Sequence, residues 1–405
     1  MTATIYKSRA CGSVSAPPSK SMAHRLLICA GLSAGRSVIG NIAYSQDILA
    51  TLDCLSEIGA KIERREDSVI IEGIDIAEIN KPLSANCRES GSTLRFFIPL
   101  LLLNAEKSVL TGSDYLFTRP LGIYKDICRH QRLTFDLEGN KLTLSGVLKG
   151  DTFQIPGNIS SQFISGLLFA LPLLRDSSTI KLIPPVESRS YINMTVDVMK
   201  TFGVNIKWSD ENTLYIEGNQ SYKATDISVE GDYSNAAFLD AFNLIGGNVS
   251  VLGLKDNSLQ GDSVYKKYFC ELQKGRPVLD VSDCPDLAPI LVTLAAVLNG
   301  AEFIGTKRLE IKESNRGKVI AEELSKFGAD ITVADNSITV NKCELHTPTE
   351  MLDGHNDHRI VMSLSVISSL FGGTVSGYRA VNKSYPDFFE KIATLNIGVS
   401  LNENQ

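Results

Sequence analysis

The sequence predicts an α/β protein of two domains, each built from three units of about 70 residues. A pattern of helix, glycine, strand, turn and strand recurs in LSEIGAKIERREDSVIIEG, MKTFGVNIKWSDENTLYIEG and LSKFGADITVADNSITVN. Apolar helices with polar or small residues at their starts recur at a similar interval. They begin near Lys20, Ser92, Ser161, Tyr233, Asp286 and Asn356. Such self-similarity is the signature of a fold assembled from repeats.

Residues that follow the helices mark the same interval. They are Gly59, Gly203, Gly275 and Gly328, with Gln131 at the matching place in a fifth copy and Gly398 in a sixth. Glycine at this place suits a left-handed helix C-cap. Both series contain one shorter step, from Tyr233 to Asp286 and from Gly275 to Gly328. Too few residues follow Gly398 to form a closing strand, so the N-terminal segment ATIYK is expected to supply it.

The domain boundaries follow from this expected pairing. If both ends of the chain share one sheet, they belong to one domain and the other domain is inserted between them. SVSAPPS breaks regular structure near the first crossing, and ISVE meets Gly231 at the second. We therefore predict a discontinuous domain of residues 1–15 and 230–405 and an inserted domain of residues 16–229. Neither GxGxxG nor GxxxxGK[ST] is present, which argues against a Rossmann or P-loop fold.

Composition restricts the class of protein. With 405 residues, 43% apolar and 21% charged, the chain has the composition of a soluble globular protein. Its apolar stretches are well below the roughly 20 residues that a membrane span needs. The net charge of −6 argues against nucleic-acid binding. The eight cysteines form no CxxC pair and the N-terminus resembles no signal peptide, so we expect a cytoplasmic protein.

The polar helix starts are candidate anion sites. Pro17-Pro18-Ser19 precedes a helix whose first turns carry Lys20, Ser21 and Arg25. Exposed amides and a partial positive charge at a helix start favour phosphate or carboxylate. The alternative is an ordinary helix cap with two solvated cations. Similar starts occur at ESGSTLRFF and SSQF, where serine and glycine are also routine structural choices.

Further polar residues stand at the other helix starts. They are Arg119 in TRPLG, Ser188 and Tyr191 in ESRSYINMT, Glu313 and Arg316 in IKESNRGK, and Lys383 in NKSYPDFFE. Arg119 suits two-pronged anion binding, although an exposed arginine before proline is otherwise unremarkable. Asp286 in CPDLAP is more often a cap than an acid, and its functional interpretation requires Glu313 nearby.

The segment DGHNDHR concentrates Asp353, His355, Asp357, His358 and Arg359. This composition suggests a metal site, but no HExxH is present and the arginine would oppose a bound cation. We favour an anion contact by Arg359, with His358 as a hydrogen-bond donor or proton carrier.

Together, PSKSMAHR, ESGSTLRF, TRPLG, SSQF, CPDLAP, IKESNR, NDHR and KSYPDFFE resemble the motifs of the 5-enolpyruvylshikimate-3-phosphate synthase family. The resemblance spans nearly the whole chain and keeps the family's motif order. It implies an inside-out α/β barrel in two domains, each with three βαβαββ repeats, sheets outside and helices inside. The domains would close over substrates in the cleft between them.

The resemblance also implies the substrate contacts. Shikimate 3-phosphate would be held, on the inserted-domain side of the cleft, by Lys20, Ser21, Arg25, Ser160, Ser161, Gln162, Ser188, Tyr191 and Asp286. Phosphoenolpyruvate would be held by Lys20, Gly91, Arg119, Gln162, Arg316, Arg359 and Lys383. A local basic cluster has a physical purpose here, because it brings together two anions that repel one another.

The implied reaction joins the enolpyruvyl group to the shikimate 5-hydroxyl through a tetrahedral intermediate. One group must both donate and accept a proton at the methylene carbon, and Glu313 is the candidate. Lys20 and Asp286 would assist at the hydroxyl, and His358 would support them. Lys383, with the arginines, would stabilise charge on the carboxylate and the departing phosphate. No metal or organic cofactor is expected, and we expect a monomer.

Two positions depart from the family pattern. Glu89 and His24 stand where asparagine is common in the family, and Glu89 leaves details of the phosphoenolpyruvate pocket open. Gly91 is retained, and a methyl group there would crowd the ligand. We therefore expect sensitivity to glyphosate, the inhibitor of this family.

Two other functions compete. The related UDP-N-acetylglucosamine enolpyruvyl transferases share the architecture, but they have a Lys-Asn pair where this chain has Lys20-Ser21. They also carry a loop cysteine near TRPLG, whereas the nearby Cys128 lies in an apolar helical pattern. A catalytically silent anion-binding protein on the same scaffold is the second alternative, and the joint presence of Lys20, Asp286, Glu313 and Lys383 argues against it.

Overall fold

The chain folds into two compact units. A computed structural model describes residues 1–76, 79 and 81–403. Met1–Pro17 and Gly231–Gln405 form one unit, which we call the discontinuous unit, and Pro18–Glu230 form the inserted unit. No helix in the part of the chain that is described combines the length and apolar character that a membrane span requires.

The helices alternate with short strands along the whole chain. In the inserted unit the helices are α1 (Lys20–Gly31), α2 (Gln46–Ile58), α3 (Gly91–Leu101), α4 (Asp114–Thr118), α5 (Gly122–Gln131), α6 (Ser161–Ala170) and α7 (Arg189–Thr201). In the discontinuous unit they are α8 (Tyr233–Leu244), α9 (Tyr265–Lys274), α10 (Ala288–Val297), α11 (Arg316–Ser325), α12 (His358–Phe371) and α13 (Phe388–Thr394). Short 3₁₀ helices span Leu171–Leu173, Gly261–Val264, Pro285–Leu287, Lys307–Ile311 and Tyr378–Lys383.

The strands have the following bounds: β1 (Thr2–Ile5), β2 (Cys11–Ser15), β3 (Ser33–Gly40), β4 (Lys61–Arg64), β5 (Ser68–Gly73), β6 (Leu83–Asn86), β7 (Ser108–Thr111), β8 (Thr134–Glu138), β9 (Lys141–Ser145), β10 (Thr152–Pro156), β11 (Ser178–Ile183), β12 (Ile206–Asp210), β13 (Thr213–Ile216), β14 (Tyr222–Lys223), β15 (Ile227–Ser228), β16 (Asn248–Leu252), β17 (Val278–Asp280), β18 (Ala301–Ile304), β19 (Asp330–Val333), β20 (Ser337–Asn341), β21 (Leu352–Asp353), β22 (Gly373–Ser376) and β23 (Val399–Asn402).

One sheet order recurs. The sheets β6-β7-β9-β8, β10-β11-β13-β12 and β17-β18-β20-β19 each place the first two strands of a repeat in parallel and then its fourth and third strands antiparallel. The sheet β14-β3-β5-β4 has the same order, with β14 and β15 in the first place. This recurrence is the structural form of the sequence repeat.

The N-terminal strand closes the last sheet, as predicted. β1 lies antiparallel between β22 and β23, with Ala3 opposite Val375 and Leu401. It therefore occupies the position that the fourth strand has in the other sheets. The two ends of the chain share one sheet.

The fourth repeat differs from the predicted βαβαββ unit. Its sheet contains β2 and β16, which pair in parallel, and no hairpin follows α9 before β17 begins. The missing strand pair therefore explains the shorter step in the sequence. Gly275 consequently has an extended φ of 167° and is not a left-handed cap, which corrects the expectation for that residue.

The left-handed residues after the other helices mark the hairpins. Gly59, Gly203 and Gly328 have φ values of 114°, 82° and 89°, which confirms three of the predicted caps. In the two remaining repeats the left-handed residues are Arg132 (φ 59°) and Asn396 (φ 65°), and not Gln131 and Gly398. The sequence pattern located these turns to within two residues. Glycine is not obligatory there, because other residues can adopt the left-handed conformation at some energetic cost.

Helices form the core of each unit and the sheets cover them, which confirms the predicted inside-out arrangement. α3 and α10 are buried along almost their whole length because they carry apolar residues on every face. The strands instead alternate: in β18 the side chains of Ala301 and Phe303 are buried, whereas Glu302 and Ile304 are exposed. The polar residues at the helix starts are the exceptions to this apolar core.

Candidate active site

Serine caps open the three central helices of the inserted unit. Ser19, Ser90 and Ser160 precede α1, α3 and α6. Their hydroxyl groups accept hydrogen bonds from the amides of residues 22, 93 and 162 at 3.4, 3.2 and 3.3 Å. Each cap satisfies one helix amide and leaves the other amides of the first turn available to an anion. The predicted contacts Ser160 and Ser161 lie at the start of α6, and Ser161 is buried.

Lys20 is the first residue of α1 and donates to a carboxylate. Its Nζ lies 2.8 Å from Asp47 Oδ2 in the first turn of α2. The Lys20 side chain is 15% exposed. Asp47 therefore fixes the direction of the ammonium group while leaving one side of it accessible to a ligand. Asp47 was not predicted as part of the site.

Arg25 is buried and makes several hydrogen bonds within the inserted unit. Its guanidinium donates to Thr195 Oγ1 at 2.8 Å, to the Ser21 carbonyl at 2.6 Å and to the Tyr191 carbonyl at 3.0 Å. Burial lowers the pKa of Arg25 to about 10, although Tyr191 and Cys29 oppose this shift. Arg25 thus links the predicted residues Ser21 and Tyr191, and its own contact with shikimate 3-phosphate stays a prediction.

Ser188 completes this part of the inserted unit. It is buried and precedes α7 with a φ of 56°, a left-handed backbone conformation that is uncommon for residues other than glycine. Its carbonyl accepts the Tyr191 amide at 3.1 Å. The start of α7 is therefore joined to α1 through Tyr191 and Arg25.

Gln162 joins α6 to α3. Its side-chain amide donates to Ser92 Oγ at 2.9 Å, and its carbonyl oxygen accepts from Arg95 Nη1 at 2.6 Å. Arg95 also donates to the Pro120 carbonyl at 3.2 Å, beside Arg119. Arg95 was not predicted, although an arginine in the otherwise apolar segment LRFFIPLL was a visible signal.

Gly91 and Arg119 are in close approach. A Cβ atom on Gly91 would lie 2.5 Å from Arg119 Nη1 and 3.2 Å from Arg95 Nη1. An added side chain would therefore require the Arg119 guanidinium to shift. The adjacent Glu89, which departs from the family pattern, is exposed.

The discontinuous unit contains a cluster of three carboxylates and three cations. Its members are Asp286, Glu313, Asp357, Lys312, Arg316 and Arg359. Arg316, the first residue of α11, is 1% exposed. It donates to Asp357 Oδ2 at 2.8 Å, to Asp286 Oδ1 at 2.7 Å and to Glu313 Oε2 at 2.6 Å. Burial lowers the pKa of Arg316, but the three carboxylates outweigh burial and raise it. The expectation that Glu313 lies near Asp286 is met, since both bind one guanidinium.

Asp286 is surrounded by cations. Besides Arg316, it accepts from Lys312 Nζ at 3.1 Å and from Arg359 Nη2 at 3.2 Å. Burial by itself would raise the pKa of Asp286, but the three cations outweigh burial and hold the pKa well below its ordinary value. Asp286 is therefore a carboxylate at neutral pH, able to accept hydrogen bonds but poorly suited to donate a proton.

Lys312 is a further cation that the sequence did not single out. Its side chain is 19% exposed, so it can reach a bound anion. Burial lowers the pKa of Lys312 to about 8; Asp286 opposes this shift, and Arg316 and Arg308 add to it. The sequence signal that could have identified Lys312 was its place directly before Glu313.

Lys312→Arg is expected to move the alkaline limb of kcat/KM to higher pH. Lys312 is charged below pH 8 and neutral above it, so its attraction for an anion falls as the pH rises through about 8. Arginine stays charged throughout. A pH profile on both sides of pH 8 measures this, with Lys318→Arg, an exposed lysine in the same segment, as the control. Identical alkaline limbs in wild type and Lys312→Arg would contradict the assignment.

Asp357 is the N-cap of α12 and organises its first turn. Its carboxylate accepts from the Arg359 amide at 2.9 Å and from Ser314 Oγ at 3.0 Å, in addition to Arg316. His358 is completely buried, with Nδ1 3.9 Å from Asp357 Oδ1. Arg359 is also buried, and its guanidinium stacks 5.9 Å from the ring centroid of Phe238. The burial of His358 favours a structural or indirect role over direct contact with substrate.

The acidic and histidine residues of DGHNDHR make contacts at two separate places: Asp357 and His358 at the start of α12, and Asp353 and His355 beside α11. Asp353 and His355 contact Glu323 of α11: the Asp353 amide donates to Oε2 at 2.8 Å, and His355 Nε2 lies 3.0 Å from Oε1. Between these residues in the sequence, the carbonyl of Asn356 accepts a hydrogen bond from Lys383 Nζ at 2.7 Å. Among residues 1–76, 79 and 81–403, no group of three or more histidine, cysteine, aspartate or glutamate side chains is arranged to hold a metal ion.

The predicted residues thus fall into two sets. One set belongs to the inserted unit and comprises Lys20, Ser21, Arg25, Gly91, Arg119, Ser160, Ser161, Gln162, Ser188 and Tyr191. The other belongs to the discontinuous unit and comprises Asp286, Glu313, Arg316, His358, Arg359 and Lys383. Within each unit, hydrogen bonds connect most members to one another.

This fold, with sheets enclosing helices in two units and polar helix starts in each, is that of the enolpyruvyl transferases. A solved structure of EPSP synthase from Acinetobacter baumannii aligns with a TM-score of 0.78 at 21% identity, covering 100% of both chains. The enolpyruvyl transferase NikO from Streptomyces tendae aligns with a TM-score of 0.79 at 14% identity, covering 98% of both.

Sequence comparison defines the family. The family model for EPSP synthase (3-phosphoshikimate 1-carboxyvinyltransferase) matches residues 6–392. A protein of that enzyme name from Clostridium kluyveri is 40% identical over 410 residues, covering 95% of each chain. Another from Clostridioides difficile is 39% identical over 421 residues, covering 96% of each. The chain belongs to the EPSP synthase family.

Proposed function

We infer that this chain is a 3-phosphoshikimate 1-carboxyvinyltransferase of the shikimate pathway. It transfers the enolpyruvyl group of phosphoenolpyruvate to the 5-hydroxyl of shikimate 3-phosphate and releases phosphate. The observation that carries this inference, beside family membership, is the cluster in which Glu313, Asp286 and Arg316 meet. Glu313, the proposed proton carrier, lies there beside cations that can bind two anionic substrates.

We propose that the two residue sets act on the same substrate pair. Shikimate 3-phosphate would contact the starts of α1, α6 and α7 together with Asp286. Phosphoenolpyruvate would contact Lys20, Gly91, Arg119 and Gln162 of the inserted unit. From the discontinuous unit it would contact Arg316, Arg359 and Lys383. Because Asp286 accepts hydrogen bonds from Lys312, Arg316 and Arg359, an incoming anion competes with this carboxylate for the same cations.

The addition step requires a proton at the methylene carbon of phosphoenolpyruvate and loss of the proton from the shikimate hydroxyl. We propose Glu313 as the group that gives the first proton and removes it again when phosphate leaves. Lys20 and Asp286 would assist at the hydroxyl, and Lys383 with Arg119, Arg316 and Arg359 would stabilise the developing negative charge. His358, being buried, would act through the first turn of α12.

Phosphate release with alternative acceptors tests the function. Turnover is expected with phosphoenolpyruvate and shikimate 3-phosphate, and none with UDP-N-acetylglucosamine. Cys128 supports this choice over the sugar-nucleotide enzymes, because it is buried within α5 and burial raises its pKa to about 12, which keeps the thiol unreactive. Turnover with the sugar nucleotide alone would overturn the proposal, and binding without turnover would indicate a silent relative.

Gly91→Ala is expected to raise the KM for phosphoenolpyruvate by about tenfold or more and to raise the inhibitory concentration of glyphosate further. The added methyl would lie 2.5 Å from Arg119 Nη1, so the guanidinium must shift. Steady-state kinetics with and without glyphosate measures both effects. Gly122→Ala is the control, because a Cβ there meets nothing within 4 Å. A wild type as resistant as the variant would contradict the steric argument.

Three further features are proposed with the function. The discontinuous and inserted units act as the two domains of the enzyme, and the inserted unit carries the greater share of the shikimate 3-phosphate contacts. We propose that the protein works in the cytoplasm as a monomer and does not bind nucleic acid. Neither a metal ion nor an organic cofactor is required, because phosphoenolpyruvate carries its own leaving group.

A further inference from the structure

We propose that a buried hydrogen-bond chain through His24, Thr51, Thr93 and Ser90 positions the start of α3 and thereby sets the affinity for phosphoenolpyruvate. His24 Nδ1 lies 2.7 Å from Thr51 Oγ1, which lies 2.7 Å from Thr93 Oγ1. Thr93 Oγ1 donates to Ser90 Oγ at 2.7 Å. The chain links α1, α2 and α3. This inference rests on the proposed function.

The donors of the chain can be assigned from one end. Thr93 gives its only hydroxyl proton to Ser90, so Thr51 must donate to Thr93. Thr51 then has no proton left for His24, so His24 Nδ1 is the donor. A neutral histidine with its proton on Nδ1 satisfies this. Burial, with the nearby charges of Lys20 and Arg25, holds the pKa of His24 well below its ordinary value.

All members of the chain are shielded from water. His24 is 1% exposed, and Thr51, Thr93 and Ser90 are fully buried. Removing the Thr51 hydroxyl therefore leaves His24 Nδ1 without its acceptor and Thr93 Oγ1 without its donor, because water cannot replace it. The cost of an unsatisfied buried polar group is about 1–3 kcal/mol.

The chain ends at the residue before Gly91. Ser90 Oγ also accepts the Thr93 amide and so caps α3. A Cβ atom on Gly91 would lie 2.5 Å from Arg119 Nη1, so the start of α3 and the Arg119 guanidinium lie close together. A small displacement of the helix start would therefore change the geometry of Gly91 and Arg119 together.

The same helix pair also holds Lys20. Lys20 precedes His24 by one helical turn, and its partner Asp47 precedes Thr51 by one turn. The Lys20–Asp47 bond of 2.8 Å and the His24–Thr51 bond of 2.7 Å are thus successive contacts between α1 and α2. The chain consequently fixes Lys20 relative to Gly91. Both residues are proposed contacts of phosphoenolpyruvate. Lys20 is also a proposed contact of shikimate 3-phosphate, but most contacts of that substrate lie at the starts of α6 and α7, outside the chain.

Thr51→Val and Thr93→Val test the proposal, because valine keeps the shape and removes the hydroxyl. We expect the KM for phosphoenolpyruvate to rise about tenfold in each, corresponding to about 1.4 kcal/mol. The KM for shikimate 3-phosphate is expected to change much less, because most of its proposed contacts lie at the starts of α6 and α7. Thr51→Ser and Thr93→Ser keep the hydroxyl and should restore the low KM. Equal changes in both KM values, no change in either, or serine variants as impaired as valine variants would overturn the proposal.

Thr293→Val is the matched control. Thr293 is fully buried in α10, and its hydroxyl donates to the Pro289 carbonyl of its own helix at 2.8 Å. This variant loses a comparable buried hydrogen bond and should leave the KM for phosphoenolpyruvate unchanged. If it raised that KM equally, the effect would be general destabilisation and the proposal would fail.

Hydrogen exchange separates this proposal from the proposed function. The amides of residues 93 and 94, which donate to the Ser90 hydroxyl and carbonyl, should exchange faster in Thr51→Val than in wild type or Thr51→Ser, whether or not the protein turns over these substrates. Protection equal to that of wild type would overturn the positioning role. A wild type without turnover, but with the expected exchange pattern, would instead overturn the proposed function.

Discussion

Glu313→Gln is expected to lower kcat by about 10²–10⁴-fold, the usual contribution of a general acid or base. Glutamine has nearly the same shape and can still accept from Arg316, which lies 2.6 Å from Glu313 Oε2. It cannot exchange a proton with the substrate carbon at neutral pH. Binding of shikimate 3-phosphate should stay nearly unchanged, so the loss falls on kcat rather than on the KM. Single-turnover kinetics and equilibrium binding measure the two quantities separately.

Glu310→Gln serves as the matched control for this prediction. Glu310 is exposed and lies three residues earlier in the same segment, so the exchange of carboxylate for amide there should leave kcat unchanged. If Glu313→Gln also turned over at the wild-type rate, Glu313 would lose its assigned role as the proton carrier.

Arg316→Met is expected to lower the free energy of unfolding of the discontinuous unit by about 3–5 kcal/mol, and to abolish measurable turnover. Arg316 contacts Asp286, Glu313 and Asp357 together, and its side chain is 1% exposed. Methionine fills much of the same volume but leaves these carboxylates without their shared partner. Urea denaturation of the variant and of wild type measures the difference.

A double variant distinguishes lost charge balance from lost packing. Asp357 is fully buried, so Asp357→Asn in the Arg316→Met background removes a buried uncompensated charge and should restore part of the lost stability. Lys267→Met, which removes an exposed lysine of the same unit, should have little effect. If Arg316→Met and Lys267→Met were equally mild, the cluster would not be an electrostatic unit.

The repeat could be predicted because most units carry the same local sequence pattern. Helix starts and turn residues recur at nearly constant spacing, and an antiparallel strand pair in each unit followed from them. The full βαβαββ unit was implied by the resemblance to the EPSP synthase family. The fourth repeat could not be described correctly, because a short step between Tyr233 and Asp286 shows that residues are missing but not which element they would form. The structure shows that the hairpin after α9 is absent.

The site was predictable where a motif carries its own signal, and not where a residue acts through a distant partner. Lys20 stands out at a helix start, but Asp47, which orients it, is 27 residues away in an ordinary helix. Thr51 and Thr93 are 42 residues apart, and nothing in either segment marks them as neighbours. Lys312 was overlooked because its lowered pKa depends on burial, which only tertiary packing supplies.

The placement of β1 and β2 has a consequence for biosynthesis. Both strands precede the inserted unit in the chain and so leave the ribosome before it, yet β1 pairs with β22 and β23 and β2 pairs with β16. Residues 18–230 can complete their own three sheets while these early strands still lack partners. The inserted unit can therefore fold before the surrounding unit, whose strands β1 and β2 stay unpaired until β16, β22 and β23 have been synthesised.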